Sequence, residues 1–162
     1  MSIPLTAARP AATVLTAVLT GVLLVTWLSE ASLDGSSGLW VEYHQAVTPA
    51  YTRALPPIGG LALLAALAAL AASWGSRRDR WLVLGAVSCL LTGLVVTVVV
   101  HLPINADIAT WRPATPPADW QQVRDRWLAA HAVRSALTLA GFGLLVSAGL
   151  GRRGTAGRGE LP

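Results

Sequence analysis

Histidine, arginine and tryptophan side chains recur at helical spacing near the C-terminal end of this 162-residue chain. At about 100° per residue, a helix that starts near Asp119 would carry five of them and one threonine within an arc of roughly 80°. They are Trp120, Arg124, Trp127, His131, Arg134 and Thr138. A cation deep in lipid costs at least ~2.5–3.5 kcal/mol, so this stripe is expected to face the interior of a bundle or a wet cavity. The stripe therefore predicts an inward-facing polar site.

A second group of polar residues surrounds Pro103, at the end of the third apolar block. His101 follows Thr97 by one helical turn, and Asn105 comes just after the proline. Proline is expected to end or kink the helix there and to free backbone carbonyl groups. His101 and Asn105 are therefore predicted to meet the polar stripe across the bundle. A plain hydrogen bond between helices would also explain each buried histidine, and Arg134 could instead snorkel to the membrane interface.

The histidines also suit a metal site. His44, His101 and His131, with Glu42 as a further ligand, are all expected near one face of the membrane, and imidazole is a good ligand for copper and iron. The chain lacks H-x-x-H and H-E-x-x-H spacings, so these ligands would converge only through folding. The cofactor is therefore predicted to be either none or a histidine-bound copper or iron ion. Flavin and NAD are not expected, because no glycine motif for nucleotide binding occurs.

The composition places these residues in a membrane protein. Hydrophobic residues make up 54% of the chain and charged residues only 12%, with a mean hydropathy of +0.57, whereas roughly one-quarter of the residues in a soluble domain are charged. The 12 basic residues are all arginines, and they form no long basic run, which disfavours nucleic-acid binding. The single cysteine, Cys89, lies in an apolar block and cannot form an internal disulfide.

Charge-free windows predict an all-α bundle of four transmembrane helices that forms a single domain over residues 1–150, with spans at about 11–29, 54–75, 81–102 and 126–150. Two longer connections, from Glu30 to Tyr51 and from Pro103 to Asp125, are predicted on the outer side, where most residues capable of chemistry collect. Arginines are concentrated on the opposite side, which predicts that both termini are cytoplasmic. Residues 151–162 are predicted to form a flexible cytoplasmic tail.

The segment 103–134 carries a distinctive combination of short motifs. P-I-N follows the third span, D-W-x-x-x-R-x-R-W begins at Asp119, and H-x-x-R begins at His131. In this combination the chain resembles the anthrone oxygenase-like family of four-helix integral membrane proteins, formerly a domain of unknown function. The specific resemblance is confined to this segment, while the layout of spans extends it over most of the chain. The resemblance implies a cell-membrane oxygenase or oxidase that acts with molecular oxygen on a lipophilic, polycyclic aromatic natural product such as an anthrone.

The resemblance also implies roles for individual residues. A base would remove a proton from the aromatic substrate, a cation would stabilise the resulting anion, and polar and aromatic side chains would position the ring. His131 or His101 is the expected base, Arg134 the stabilising cation and Asn105 a positioning residue. The expected substrate-binding residues are Trp111, Trp120, Arg124 and Trp127.

A non-catalytic bundle is the main alternative. A membrane protein that binds a small molecule, a quinone or a partner protein would carry the same polar stripe but would consume no oxygen. Transport is less favoured, because the sequence has no pair of broken helices in corresponding halves and no acidic residue at midplane depth. The predicted partners are therefore the lipid bilayer, a lipophilic aromatic molecule and oxygen, and the sequence leaves open whether the chain forms homo-oligomers.

Overall fold

A computed structural model describes residues 5–33 and 35–156, with side chains between residues 7 and 150. These residues form the helices α1 (Leu5–Ser32), α2 (Ser37–Ala71), α3 (Arg77–Val96), α4 (Leu102–Ile108) and α5 (Trp120–Ala156), and a π-helical turn, Thr97–His101, joins α3 to α4. Within the described residues, four helical stretches are long and apolar enough to cross a membrane: Ala7–Ser32, Ser37–Ala71, Arg77–Ile108 and Trp120–Leu150. The predicted all-α bundle of four spans is confirmed.

The helices extend further than the charge-free windows predict at the end of the bundle that is remote from the chain termini, which we call the outer end, and the opposite end the inner end. Ser36 caps α2 by accepting a hydrogen bond from the backbone N–H of Leu39 at 3.3 Å, so the connection from α1 spans only residues 33–36. The segment from Glu30 to Tyr51, predicted as a loop, is therefore almost entirely helical. Polar residues end a hydropathy window, but they do not end a helix when their side chains find partners in the protein or in water.

The second outer connection, residues 109–119, is the longer one. The helix α5 begins at Trp120, close to the start predicted near Asp119, and it continues to Ala156. Residues 157–162, the end of the predicted tail, lie outside the described residues. The long α5 places the whole predicted stripe on one continuous helix.

Two hydrophobic clusters lie at opposite ends of the bundle. The inner cluster, near the chain termini, consists mainly of small side chains, including Ala12 of α1, Ala66 of α2 and Ala86 of α3. Small residues let apolar helices approach closely, which gives van der Waals packing where lipid supplies no hydrophobic driving force. The outer cluster is built from large side chains, among them Trp40, Ile108, Trp111 and Trp127.

The side chain of Arg9 contacts three other segments of the chain at the inner end of the bundle. Its guanidinium group donates to Asp79 Oδ2 of α3 at 3.0 Å, to the Ala148 carbonyl oxygen of α5 at 2.9 Å and to Ser73 Oγ, just after α2, at 3.0 Å. The side chains of Arg9 and Asp79 are only 13% and 5% exposed. The ion pair joins α1 to α3, and the two hydrogen bonds join α1 to α5 and to the end of α2.

Candidate functional site

A cavity of about 400 Å³ lies between the spanning helices, and small-molecule pockets measure roughly 300–1,000 Å³. Leucines from three helices form much of its wall, for example Leu19 of α1, Leu63 of α2 and Leu90 of α3. Polar side chains converge on the same cavity: Glu30, His101, Asn105, His131 and Arg134, together with the indole of Trp127. The cavity combines an apolar wall with a small set of groups that can transfer protons or stabilise charge.

His131 and Arg134 form a fixed pair on α5. The Nε2 atom of His131 lies 3.0 Å from the Leu23 carbonyl oxygen, and its Nδ1 lies 3.0 Å from a terminal nitrogen of Arg134. A carbonyl oxygen can only accept and a guanidinium can only donate. His131 therefore carries its proton on Nε2, and its Nδ1 lone pair is taken up by Arg134. Both ring nitrogens are occupied, so His131 positions Arg134 and has no lone pair for a substrate proton.

Arg134 is held on a second side by Thr97. Its other terminal nitrogen donates to Thr97 Oγ1 at 3.1 Å, while its buried Nε has no hydrogen-bond partner among the described residues. Arg134 lines the cavity, and its Nε–H is a hydrogen-bond donor that no described residue satisfies. The guanidinium is fixed between two helices and faces inward, as the helical stripe predicts.

His101 supplies the lone pair that His131 does not. Its Nδ1 lies 3.4 Å from the Val96 carbonyl oxygen, five residues earlier, so this nitrogen is the donor. The Nε2 atom is then the acceptor, and it is buried without a partner in the described part of the chain. His101 is 2% exposed and lines the cavity. Its imidazole is therefore the better placed of the two predicted bases.

The π-helical turn explains how His101 reaches this position. Pro103 has no backbone N–H, and the preceding turn widens so that the Leu102 N–H bonds the Thr97 carbonyl oxygen five residues earlier. Pro103 is predicted to end or kink the helix, and the structure shows a widened turn before it, after which the helix continues as α4. One extra residue per turn rotates the face that carries His101 and Asn105.

A buried carboxylate that lines the cavity forms a second polar pair with an imidazole outside it. The Nδ1 atom of His44 lies 3.0 Å from Glu30 Oε1, and both side chains are 1% exposed. The Nε2 atom of His44 lies 3.2 Å from Asn105 Oδ1, which also accepts the indole N–H of Trp127 at 2.8 Å. The second carboxylate oxygen of Glu30, Oε2, has no partner among the described residues, and Glu30 lines the cavity.

Aromatic rings connect the two polar groups. The ring of Trp127 lies 5.1 Å from His44, 5.4 Å from His101 and 4.6 Å from His131, measured between centroids. His101 and His131 are 5.4 Å apart and nearly perpendicular. The contacts of Trp127 with His44 and His101 are edge-to-face, whereas the His131 ring is tilted by 37°, and ring contacts at these separations stabilise a fixed arrangement. Trp127 is therefore the central element that sets the spacing between Glu30, His44 and the cavity histidines.

The other predicted binding residues lie outside the cavity. Arg124 donates to carbonyl oxygens at the end of α1, those of Ala31 at 3.2 Å and Leu33 at 3.3 Å. It therefore caps α1, the helix that carries Glu30. Trp120 packs against Trp40 with centroids 6.3 Å apart. Trp111 is buried in the outer cluster, so these three residues support the site from behind.

The predicted metal ligands do not converge. Within residues 5–33 and 35–156, no three histidine, cysteine or acidic side chains are placed to hold a metal ion. Glu42 is exposed, and the ring nitrogens of His44 and His131 are engaged in hydrogen bonds. His101 alone of the three histidines presents a lone pair to the cavity, so a copper or iron ion held by His44, His101, His131 and Glu42 does not fit these donors.

Glu30 is the site residue that sequence reasoning missed. It follows the first apolar block and reads as the start of a loop, whereas α1 continues through it to Ser32. A signal was present: Thr16, Thr20 and Thr26 are buried along one face of α1, and Glu30 extends that face by one turn. An acidic residue in register with a buried threonine stripe indicates an inward position.

Fold and site together define a multi-pass membrane protein with a partly apolar cavity and buried groups for proton transfer. Residues 44–144, more than half of the chain, match the family model described as anthrone oxygenase. The chain therefore belongs to the anthrone oxygenase family. Neither the curated proteins nor the solved structures contain a match to the chain. Glu30 lies before the matched region, so the family match carries no information about it.

Proposed function

We propose that the protein is an integral membrane oxygenase that uses molecular oxygen to oxidise a lipophilic, polycyclic aromatic substrate of the anthrone type. One observation carries this proposal: a mostly apolar cavity holds a buried imidazole lone pair, His101 Nε2, together with a buried guanidinium donor, Arg134 Nε. A base and an anion-stabilising cation are the two groups that deprotonation of such a substrate requires. The family match supports the same chemistry.

The first step is the removal of a proton from the methylene carbon of the substrate. His101 Nε2 accepts this proton, and the electron pair of the broken C–H bond spreads onto the carbonyl oxygen of the substrate, which becomes an enolate. The Nε–H of Arg134 donates to that oxygen. Hydrogen-bond donors fixed in a water-poor site act strongly on such developing charge, because they need no reorganisation during the reaction.

Oxygen then reacts with the carbanion. One electron passes from the carbanion to oxygen, and the two radicals combine to form a C–O bond, which gives a peroxide. Protonation gives the hydroperoxide, which loses the second C–H proton while the O–O bond breaks. One molecule of oxygen is consumed, one oxygen atom becomes the new carbonyl group and the other leaves as water. The substrate itself supplies the electrons, so no external reductant enters the balance.

The lining of the cavity favours access from the lipid. Leu94, Val98 and Leu102, on the α3–α4 side, line the cavity and are 50%, 52% and 47% exposed. Thr52 and Pro56 of α2, opposite them, are also exposed lining residues. An opening between these two helices would face the hydrocarbon core, where a lipophilic aromatic molecule concentrates. We infer that both termini lie in the cytoplasm, from the arginine distribution, so the polar end of the cavity lies towards the outer leaflet.

The test is oxygen uptake by the protein in detergent with an anthrone as substrate. The wild type is compared with His101→Ala and, as a matched control, with Thr92→Ala, whose exposed side chain lies on the same span. Background autoxidation is measured with heat-inactivated protein. We expect catalysed uptake in the wild type and the control, and a loss of about 10²–10⁴-fold in His101→Ala. Substrate binding without catalysed uptake would overturn the proposal and favour a non-catalytic binding protein.

A further inference from the structure

The mechanism above leaves one buried acid without a function. Glu30 Oε2 has no hydrogen-bond partner among the described residues, although the side chain is 1% exposed and lines the cavity. An unpaired carboxylate oxygen buried in an apolar protein costs free energy. The polar groups that face Glu30 from other helices are His44 through its ring and Arg124 through a contact to the Glu30 backbone. The carboxyl group of Glu30 therefore has an unsatisfied acceptor in a side chain that lines the cavity.

Glu30 and His44 share one proton that can move. Asn105 Oδ1 accepts the indole N–H of Trp127, which identifies that atom as the amide oxygen. The neighbouring Nε2 of His44 must therefore be the donor to it. The Nδ1 of His44 then either donates to a Glu30 carboxylate or accepts the proton of a Glu30 carboxylic acid. In both forms the pair is neutral overall and has one proton to give.

We propose that Glu30, supplied by His44, is the catalytic acid and base of the second half of the reaction, in which the peroxide becomes a carbonyl group. This assignment rests on the proposed function. His101 takes the first C–H proton. The proton shared by Glu30 Oε1 and His44 Nδ1 passes to Glu30, whose carboxyl group turns to give it to the peroxide anion and then turns back, so that the hydroperoxide forms. The Glu30–His44 pair then carries one negative charge.

The same pair completes the reaction. Glu30 Oε2 removes the second C–H proton, the C–H electron pair forms the carbonyl π bond, and the O–O bond breaks. The departing hydroxide takes the proton held by His101 and leaves as water. Glu30, His44 and His101 return to their starting states, so no other proton source is needed. Two separate proton carriers explain why the cavity holds both an imidazole and a buried acid.

The test uses Glu30→Gln, which keeps the size of the side chain and can still accept from His44 but cannot carry the proton. Glu42→Gln is the matched control, because Glu42 is an exposed acid at the same end of the bundle. Two rates are measured in the purified full-length protein with an anthrone. One is exchange of the methylene protons with D₂O without oxygen, which reports the first step. The other is formation of the quinone in oxygen.

We expect Glu30→Gln to keep the exchange rate within threefold of wild type and to lose quinone formation by about 10²–10⁴-fold. A hydroperoxide, heavier than the substrate by one oxygen molecule, should accumulate and be visible by mass spectrometry. Glu30→Asp keeps the acid but withdraws it from the cavity, so it should show an intermediate loss of quinone formation with normal exchange. It also serves as the readout if Glu30→Gln does not fold.

Three results would overturn the assignment. Quinone formation within threefold of wild type would show that Glu30 carries no proton in the reaction. A parallel fall in both rates would show that Glu30 acts on the first step or on the fold. If the wild type catalyses neither exchange nor quinone formation, the proposed function fails, and this assignment fails with it. In the first two cases the wild-type activity stands, so the two failures are distinguishable.

Discussion

Arg134 is predicted to provide the largest electrostatic contribution to the reaction, and Arg134→Gln tests this. Arginine places three donors here: one at 3.1 Å from Thr97 Oγ1, one at 3.0 Å from His131 Nδ1, and an unpartnered Nε–H at the cavity. Glutamine is shorter and uncharged, so it cannot hold both contacts and still reach the cavity. Removing one preorganised donor from a developing oxyanion costs about 2.7–4 kcal/mol. We therefore expect kcat to fall by about 10²–10³-fold.

The effect of Arg134→Gln on the free energy of unfolding has to be separated from its effect on kcat. Hydrogen bonds to a charged group contribute about 1.5–3 kcal/mol each, but removing a buried charge recovers part of its desolvation cost. The rate is therefore measured as quinone formation per folded protein, with folding monitored by thermal unfolding in detergent. Arg126→Gln, an exposed arginine on the same helix, is the matched control. Arg134→Gln with kcat within threefold of the control would refute the assigned role.

Further predictions concern the contacts of Arg9, the close approach at Gly38 and the opening of the cavity. Arg9→Ala should lower the stability by about 3–5 kcal/mol, because it breaks a buried ion pair and removes two further hydrogen bonds of the guanidinium group; an unchanged midpoint of thermal unfolding would contradict this. Gly38→Ala should destabilise the outer end, because a Cβ atom there would lie 2.8 Å from a backbone carbonyl oxygen. Gly143→Ala, inside α5, meets nothing within 4 Å and should not lower the stability by the same measurement. Val98→Trp should raise the KM for an anthrone at least several-fold by narrowing the opening, while Val14→Trp, on a lipid-facing site of α1, should not.

The sequence predicts the spans well because membrane helices are recognised by long apolar stretches, and all four of them occur in the structure. It also predicts the inward face of α5, since His131 and Trp127 are buried and Arg134 lines the cavity. Periodicity is a local property of one helix. A stripe of polar residues in an apolar helix therefore identifies its own buried face without knowledge of the partners.

The contacts between helices could not be predicted in the same way. Arg124 lies on the predicted stripe, yet its long side chain reaches back to the end of α1 and caps it. Glu42 is predicted as a metal ligand near the same membrane face as the three histidines, but its side chain is exposed, and the acid that contacts His44 is Glu30. These outcomes depend on the rotation of α2 and on where α1 ends, and hydropathy reports neither.

The π-helical turn at Thr97–His101 is a second feature beyond sequence reasoning. Pro103 indicates a disturbed helix, but a kink, an end and a widened turn are all compatible with it. The choice among them decides where His101 lies and which carbonyl oxygen its Nδ1 can reach. The tautomers follow from hydrogen-bond partners that only the folded chain brings together.

The central claim is that the protein inserts an oxygen atom from molecular oxygen into an aromatic substrate in its cavity. The most direct test is a reaction of the purified wild-type protein with an anthrone under ¹⁸O₂, followed by mass spectrometry of the quinone and of the water formed. We predict one ¹⁸O atom in the new carbonyl group and one in the released water, at a rate well above autoxidation. Unlabelled quinone, or a rate equal to that with heat-inactivated protein, would contradict the claim.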